Sequence, residues 1–157
     1  MASIHLTTFI AAPVERVFDL SRHIAIYKNL FQSRKEQFSS GAGSNLLGHN
    51  ETISILGKIA GKTRLTMLKI TGINKPASFT EEQVKGDLVE FKHQHHFKSA
   101  QNGTIVIDMI EYGLPKDFIG KIAGKLYLRS YLEELVNKRN ELIRSYAETE
   151  KWRAILT

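Results

Sequence analysis

The chain has 157 residues, 42% of them hydrophobic and 24% charged, so length and composition predict one folded domain spanning residues 1–157 and exclude disordered or fibrous classes. Because it has no cysteine, disulfides, thiolate metal sites and cysteine nucleophiles are excluded. The net charge of +6 comes from basic residues mixed with acidic ones along the chain, which argues against a nucleic-acid partner.

The N-terminal segment indicates where in the cell the protein is located. The segment MASIHLTTFIAAP lacks the basic start and long apolar centre of a signal peptide. No apolar run approaches the roughly 20 residues that a membrane-spanning helix requires. We therefore expect a cytoplasmic protein without integral membrane association.

The first elements are a strand and two short helices. Residues 4–10 alternate in polarity with a period of two, which predicts a strand. Pro13 suits the first position of a helix, and apolar residues follow it at helical spacing. The spacing of apolar residues over 24–31 predicts a second helix.

Short strands dominate residues 34–113. Glycine-rich and polar turns separate them, for example Ser39 to Gly43 and Gln101 to Gly103. Because these connections are mostly short, an antiparallel meander is favoured over crossover units.

A long helix is predicted after Pro115, with Asp117 as its N-cap and an end near Glu148. Apolar residues recur at three- and four-residue steps from 128 to 146. About 30 residues would give a helix of roughly 45 Å, long enough to cross the whole sheet. Gly120 and Gly124 fit either close packing against the sheet or a mobile portal.

The strand predicted over residues 88–98 carries aromatic and histidine side chains on one face. That face contains Val89, Phe91, His93, His95 and Phe97. Buried imidazoles require hydrogen-bond partners, water or a ligand. Periodicity alone does not decide which faces of the neighbouring strands, residues 79–85 and 104–112, join it.

Several segments resemble bacterial SRPBCC-type domains, the START-like or polyketide cyclase/dehydrase-like superfamily. They are PVERVFDLSRHI, EEQVKGDLVEFKHQHHF, GTIVIDMIEYGLP and YLRSYLEELVNKRNELI, in the expected order. The resemblance implies an α+β helix-grip fold, in which a curved antiparallel sheet of six to seven strands wraps around the long C-terminal helix. Two short helices follow the first strand.

The resemblance also implies an internal cavity between the sheet and the helix. It places one set of side chains on the inner side of the sheet, and we take these as ligand-binding candidates: Phe79, Glu81, Gln83, Phe91, His93, His95, Phe97, Asp108 and Tyr112. The segment ETISILGKIAG lacks the tryptophan and histidine often present there in similar domains. Ile53, Ile55, Leu56 or Ile59 would make the wall more apolar.

The leading hypothesis is a module that binds a small hydrophobic or amphipathic molecule, with no cofactor. This molecule, a lipid, isoprenoid, polyketide or other hydrophobic metabolite, would need a cavity of about 300 Å³ or more. Arg139, on the apolar face of the long helix, could pair with a carboxylate in the cavity or extend along its apolar neighbours towards solvent.

Three alternatives use the same residues or other surfaces. His93, His95 and Asp108 could serve a cyclase, dehydratase or hydrolase as general acid and base. The same three resemble a facial triad of metal ligands, although we favour a satisfied polar network over a metal site. A stress-related or cell-division-related interaction protein is the third alternative.

Overall fold

The computed structural model describes residues 1–115 and 121–156. In chain order the elements are β1 (Ala2–Ile10), α1 (Val14–Ser21), α2 (Ile24–Ser33), β2 (Gln37–Ser40), β3 (Thr52–Ile59), β4 (Lys62–Asn74), β5 (Ser78–Lys85), β6 (Phe91–Ala100), β7 (Gly103–Tyr112) and α3 (Ile122–Ala147). A short 3₁₀ helix, Glu150–Ala154, follows α3.

The described strands form one seven-stranded antiparallel sheet in the order β1-β7-β6-β5-β4-β3-β2. Strands β2 to β7 therefore form the predicted meander, and β1 pairs with β7 at its end. Register shifts occur in β4 between Met67 and Leu68 and between Ile70 and Gly72. Such bulges bend a strand, so they contribute to curvature. This arrangement, with α3 packed against β1, α1 and α2, confirms the predicted helix-grip fold.

The helices begin where local chemistry favours it. Pro13 precedes α1, and the ring Nδ1 of His23 caps α2 by accepting a hydrogen bond from the backbone N of Ala25 at 3.0 Å. Helix α3 has 26 described residues, which gives a length of about 39 Å. Its predicted N-cap, Asp117, and Gly120 lie outside the described residues.

The start of β6 differs from the prediction. The strand begins at Phe91 rather than Leu88, and Val89 is 64% exposed instead of facing inwards. The Nε2 of Gln83 donates to the carbonyl of Leu88 at 2.8 Å, and the backbone N of Val89 donates to Gly113 at 3.2 Å. These bonds hold residues 88 and 89 in a turn outside the ladder between β5 and β6.

Two apolar clusters lie under the sheet. The larger one joins α1 and α2 to the central strands and includes Phe18, Phe79 and Phe97. The smaller one joins β1 and β7 to the first half of α3 and includes Tyr112 and Leu132. Helix α3 contributes to both clusters, so it organises the fold as expected. None of the described helices combines the length and apolarity needed to cross a membrane.

Candidate ligand cavity and its buried polar cluster

A cavity of about 110 Å³ lies among β3, β4, β5, β6, α2 and α3. Most of its wall is aliphatic or aromatic. Ile53, Ile55 and Ile59 line it, as the ETISILGKIAG segment predicts, whereas Leu56 does not. The cavity is therefore largely apolar on the side of β3.

The cavity is smaller than the roughly 300 Å³ expected for a lipid-sized ligand. Branched and aromatic side chains from both layers, including Leu68, Phe91 and Leu132, occupy the space between sheet and helix. An engineered cavity of about 150 Å³ in another protein holds one benzene molecule, which sets the scale. The cavity described here therefore has room for about one ring or a short alkyl chain.

Strand register brings four titratable side chains together at one end of the cavity. In the β5–β6 pair Glu81 lies opposite His93, and in the β6–β7 pair His95 lies opposite Asp108. All four are buried, with exposed fractions of 0–5%. Phe79 lies opposite His95 and stacks on its ring, with centroids 4.2 Å apart.

Asp108 is the centre of this cluster. Its Oδ1 lies 2.8 Å from His93 Nε2 and 3.0 Å from His95 Nδ1. Its Oδ2 accepts from Asn140 Nδ2 at 2.8 Å, which in turn lies 3.2 Å from the Thr8 hydroxyl. One carboxylate therefore positions both imidazoles and ties them to α3.

Glu81 closes the other side of the cluster. Its Oε2 lies 3.2 Å from His95 Nε2 and 3.9 Å from His93 Nδ1, and its Oε1 accepts from the Tyr27 hydroxyl. Tyr27 is itself buried on α2. Helix α2 thus supplies the hydroxyl that orients a carboxylate on β5.

Arg139 supplies the positive charge of the cluster. It is 4% exposed, and its Nη2 donates to the carbonyl of Ser21 at 2.5 Å. Its guanidinium lies over the rings of Tyr27 and Phe79, 5.6 Å and 6.0 Å from their centroids. Arg139 is therefore buried rather than extended towards solvent, and it bonds the Ser21 carbonyl rather than a carboxylate.

The pKa values of the cluster follow from burial and these contacts. Burial raises the pKa of Glu81, but His95, His93 and Arg139 outweigh it and lower that pKa to about 2. Likewise, hydrogen bonds from both histidines outweigh burial and hold the pKa of Asp108 well below its usual range. Burial and the adjacent His95 lower the pKa of His93 to about 4. Near neutral pH, both carboxyls are ionised and His93 is neutral.

The opposite end of the cavity reaches the surface. Arg64 Nη1 pairs with Asp87 Oδ2 at 2.5 Å, and the Asp87 side chain is 53% exposed. Glu36 accepts from Arg34 at 2.7 Å and from the Tyr131 hydroxyl at 3.4 Å. The cavity thus has a buried polar end and a polar rim, with apolar walls between them.

Comparison with solved structures identifies this architecture. A protein from Thermus thermophilus superposes with a TM-score of 0.67 and 19% identity over 98% of both chains. A START superfamily protein from Mycobacterium smegmatis gives 0.64 and 13% over 93% of this chain and 97% of its own. Major latex-like protein 151 of Panax ginseng gives 0.67 and 13% over the same shares. The chain has an SRPBCC-type, START-like fold.

At these identities the likeness concerns the fold alone. No protein-family model matches the chain, and no curated protein matches it at a significant level. The site of this chain must therefore be interpreted from its own residues.

The nine predicted site residues occupy four environments. Glu81, Phe91 and His93 line the cavity. His95 and Asp108 are fully buried behind them, within the polar cluster.

The other four predicted residues do not line the cavity. Phe79, Phe97 and Tyr112 are buried in the apolar clusters. Gln83 is half-buried and holds the turn before β6 through its bond to Leu88.

Sequence reasoning missed two members of the cluster, Tyr27 and Asn140. Leu128, Leu132 and Val136 recur every four residues on α3, and Asn140 is the next position in that series. A polar residue within an apolar stripe was therefore a signal for a buried hydrogen bond. Tyr27 carried no such signal, since a tyrosine on the apolar face of an amphipathic helix is ordinary packing.

Proposed function

We propose that this chain binds a small molecule with an apolar body and one polar end. The observation that carries the proposal is the cavity itself, whose apolar walls lead to the buried side chains of Glu81, His93 and Arg139. Such a combination of apolar lining with a few convergent polar groups is typical of small-molecule sites.

Size restricts the ligand class. A cavity of about 110 Å³ holds one ring or a short chain, so we propose a single-ring or short-chain molecule rather than the lipid or isoprenoid considered from the sequence. The polar end lies towards His93, whose Nδ1 has no hydrogen-bond partner among the described residues. A hydroxyl or amine on the ligand would donate to this nitrogen.

Native mass spectrometry of protein purified without denaturation tests whether a small molecule is carried from the cell. The proposal predicts an added mass that disappears when the protein is denatured. A protein that carries nothing and binds none of a set of single-ring alcohols, amines and acids would contradict it.

A variant that fills the cavity provides a matched test. Val136 lines the cavity and is 3% exposed, so Val136→Phe places an additional ring in that space. We expect this variant to lose the bound molecule. Its free energy of unfolding should stay the same or rise by about 1 kcal/mol, because filling a cavity restores packing contacts. Leu126→Phe, at a position that is 64% exposed on the same helix, is the control and should keep the ligand.

A second candidate function is an enzyme that uses His93 as a general base. The convergence of His93, His95 and Asp108 favours it, because the carboxylate orients both rings and His93 lines the cavity. Incubation with a cell metabolite extract should show a compound consumed by the wild type and spared by His93→Gln. If both proteins leave the extract unchanged, or change it equally, this candidate fails.

The remaining sequence predictions have weaker support. We include in the proposal a cytoplasmic location and a partnership with small molecules rather than nucleic acid. No contact among the described residues favours the stress-related or cell-division-related interaction protein over the binding module.

A further inference from the structure

Three potential ligand atoms face one another inside the polar cluster. They are Glu81 Oε2, His93 Nδ1 and His95 Nε2, and all lie within 4.8 Å of one another. The first lies 3.9 Å from the second and 3.2 Å from the third. All three side chains are buried, so bulk water does not separate them.

Asp108 determines which ring nitrogens carry protons. A carboxylate only accepts hydrogen bonds, so His93 Nε2 and His95 Nδ1, both bonded to Asp108 Oδ1, must be the donors. The opposite nitrogen of a neutral His93 ring, Nδ1, then carries a lone pair. By the same rule His95 Nε2, 3.2 Å from Glu81 Oε2, is the donor of that hydrogen bond. Arg139 Nη1 lies 3.3 Å from His95 Nδ1. His95 Nδ1 does not accept a hydrogen bond from this guanidinium, because Nδ1 is already the donor to Asp108.

The His93 Nδ1 lone pair, His95 Nε2 and the Glu81 Oε2 oxygen therefore face one small volume. A divalent ion in this volume would replace the proton between His95 Nε2 and Glu81 Oε2, as metal binding to histidine ordinarily does. We propose that Glu81, His93 and His95 bind a divalent transition-metal ion through Oε2, Nδ1 and Nε2. The sequence suggested a triad with Asp108 as the carboxylate ligand; this proposal uses Glu81 instead, because Asp108 Oδ1 already lies against both rings.

The donor set and its spacing fit such an ion. Bonds of about 2.0–2.1 Å at roughly tetrahedral angles separate neighbouring ligand atoms by about 3.3 Å. The separation of 3.2 Å is close to that value, and the separation of 3.9 Å is longer, so the three side chains would move closer together around the ion. Two imidazoles and one carboxylate favour zinc, iron, cobalt or nickel over magnesium or calcium.

The surroundings match the outer shell of a metal site. Ligating histidines usually donate their other N–H to a carboxylate, and Asp108 accepts from both. The Tyr27 hydroxyl orients Glu81 in the same way. Because Glu81 and His93 line the cavity, a fourth coordination position would open towards it. In the metal-bound form the polar end of the ligand would bind the ion there instead of His93 Nδ1.

The net charge of the cluster indicates the alternative to a metal ion, which is a proton. Glu81 and Asp108 contribute two negative charges and Arg139 one positive charge, so with neutral imidazoles the cluster carries −1. One proton shared by the rings and Glu81 would bring it to zero, whereas a divalent ion would bring it to +1 and attract an anionic ligand or hydroxide. Direct metal titration distinguishes these two occupants.

The test is titration of tag-free, chelator-treated protein with Co²⁺ alone, followed by visible absorption and calorimetry. We expect one ion per chain, with absorption bands of bound cobalt that Zn²⁺ abolishes by competition. Because no organic ligand is present, the result does not depend on the proposed function. Wild-type protein that shows no saturable cobalt binding would overturn the inference.

Variants assign the ion to the cluster. Glu81→Gln and His93→Gln should each lower the affinity by more than 100-fold, and Asp108→Asn by about 10- to 100-fold through the outer shell. His96→Gln is the matched control, since His96 lies on β6 beside His95 but pairs with Gln94 outside the cluster. Circular dichroism of each metal-free variant shows whether it is folded. Binding that persists in folded Glu81→Gln and His93→Gln would also overturn the assignment.

Discussion

Replacing Arg139 with methionine is expected to lower the free energy of unfolding by about 3–5 kcal/mol. The guanidinium is 4% exposed and provides the positive charge facing the carboxylates of Glu81 and Asp108. Removing it leaves two buried carboxylates without that compensation and also deprives the Ser21 carbonyl of a donor at 2.5 Å. Methionine keeps an unbranched side chain and a high helix propensity, so the helix itself should not be weakened.

Equilibrium denaturation of Arg139→Met and Lys138→Met measures this effect. Lys138 is the preceding residue on α3 and forms an exposed pair with Glu134 at 2.9 Å. Its replacement should leave the denaturation midpoint unchanged, because exposed pairs on helices contribute little. Equal stability of the two variants would show that Arg139 does not compensate the cluster.

Asp108→Asn is expected to cost about 2–4 kcal/mol although it changes the side-chain shape very little. Asp108 accepts hydrogen bonds on both oxygens, from the two histidines on Oδ1 and from Asn140 on Oδ2. An asparagine has only one carbonyl oxygen, so its NH₂ must face either the Asn140 amide or the imidazole donors. With the Asn140 amide and the two rings oriented as they are here, either placement of that NH₂ sets two donors against each other in a buried site.

A compensating change separates this mechanism from a general loss of packing. In the double variant Asp108→Asn with Asn140→Asp, the new amide at position 108 can donate to a carboxylate at position 140. We expect the double variant to be more stable than Asp108→Asn alone, as measured by urea denaturation. If the two substitutions are simply additive, the hydrogen-bond account is wrong.

The sequence predicted the fold well because the fold depends on local patterns. Period-two strands, short turns and a long amphipathic segment determine the antiparallel meander and α3. The resemblance to SRPBCC-type domains then selected the inner face of β5, β6 and β7. Solved structures with TM-scores of 0.64 and 0.67 confirm that fold.

The polar cluster was only partly predictable, because its geometry depends on strand register and helix docking. The two-residue spacing of His93 and His95 predicted that both lie on one face of the strand. It did not predict which carboxylate each histidine would contact. Register places Asp108 opposite His95 and Glu81 opposite His93. Asn140 reaches Asp108 across 32 residues of sequence, a contact that periodicity cannot specify.

The start of β6 was mispredicted for a related reason. Val89 continues the apolar alternation of the strand, so pattern alone assigns it to the inner face. Hydrogen bonds from Gln83 to Leu88 and from Val89 to Gly113 hold that segment in a turn. Such side-chain and end-of-strand bonds depend on tertiary neighbours rather than on local hydrophobic order.

The central claim, that an apolar cavity ending at a polar cluster binds a small amphipathic molecule, is tested most directly by nuclear magnetic resonance titration. Isotope-labelled wild-type protein and Val136→Phe would each be titrated with benzyl alcohol and with toluene. The account predicts saturable shifts of amides on β6 and α3 in the wild type, tighter binding of benzyl alcohol, and neither effect in Val136→Phe. Identical or non-saturating shifts in the two proteins would contradict it.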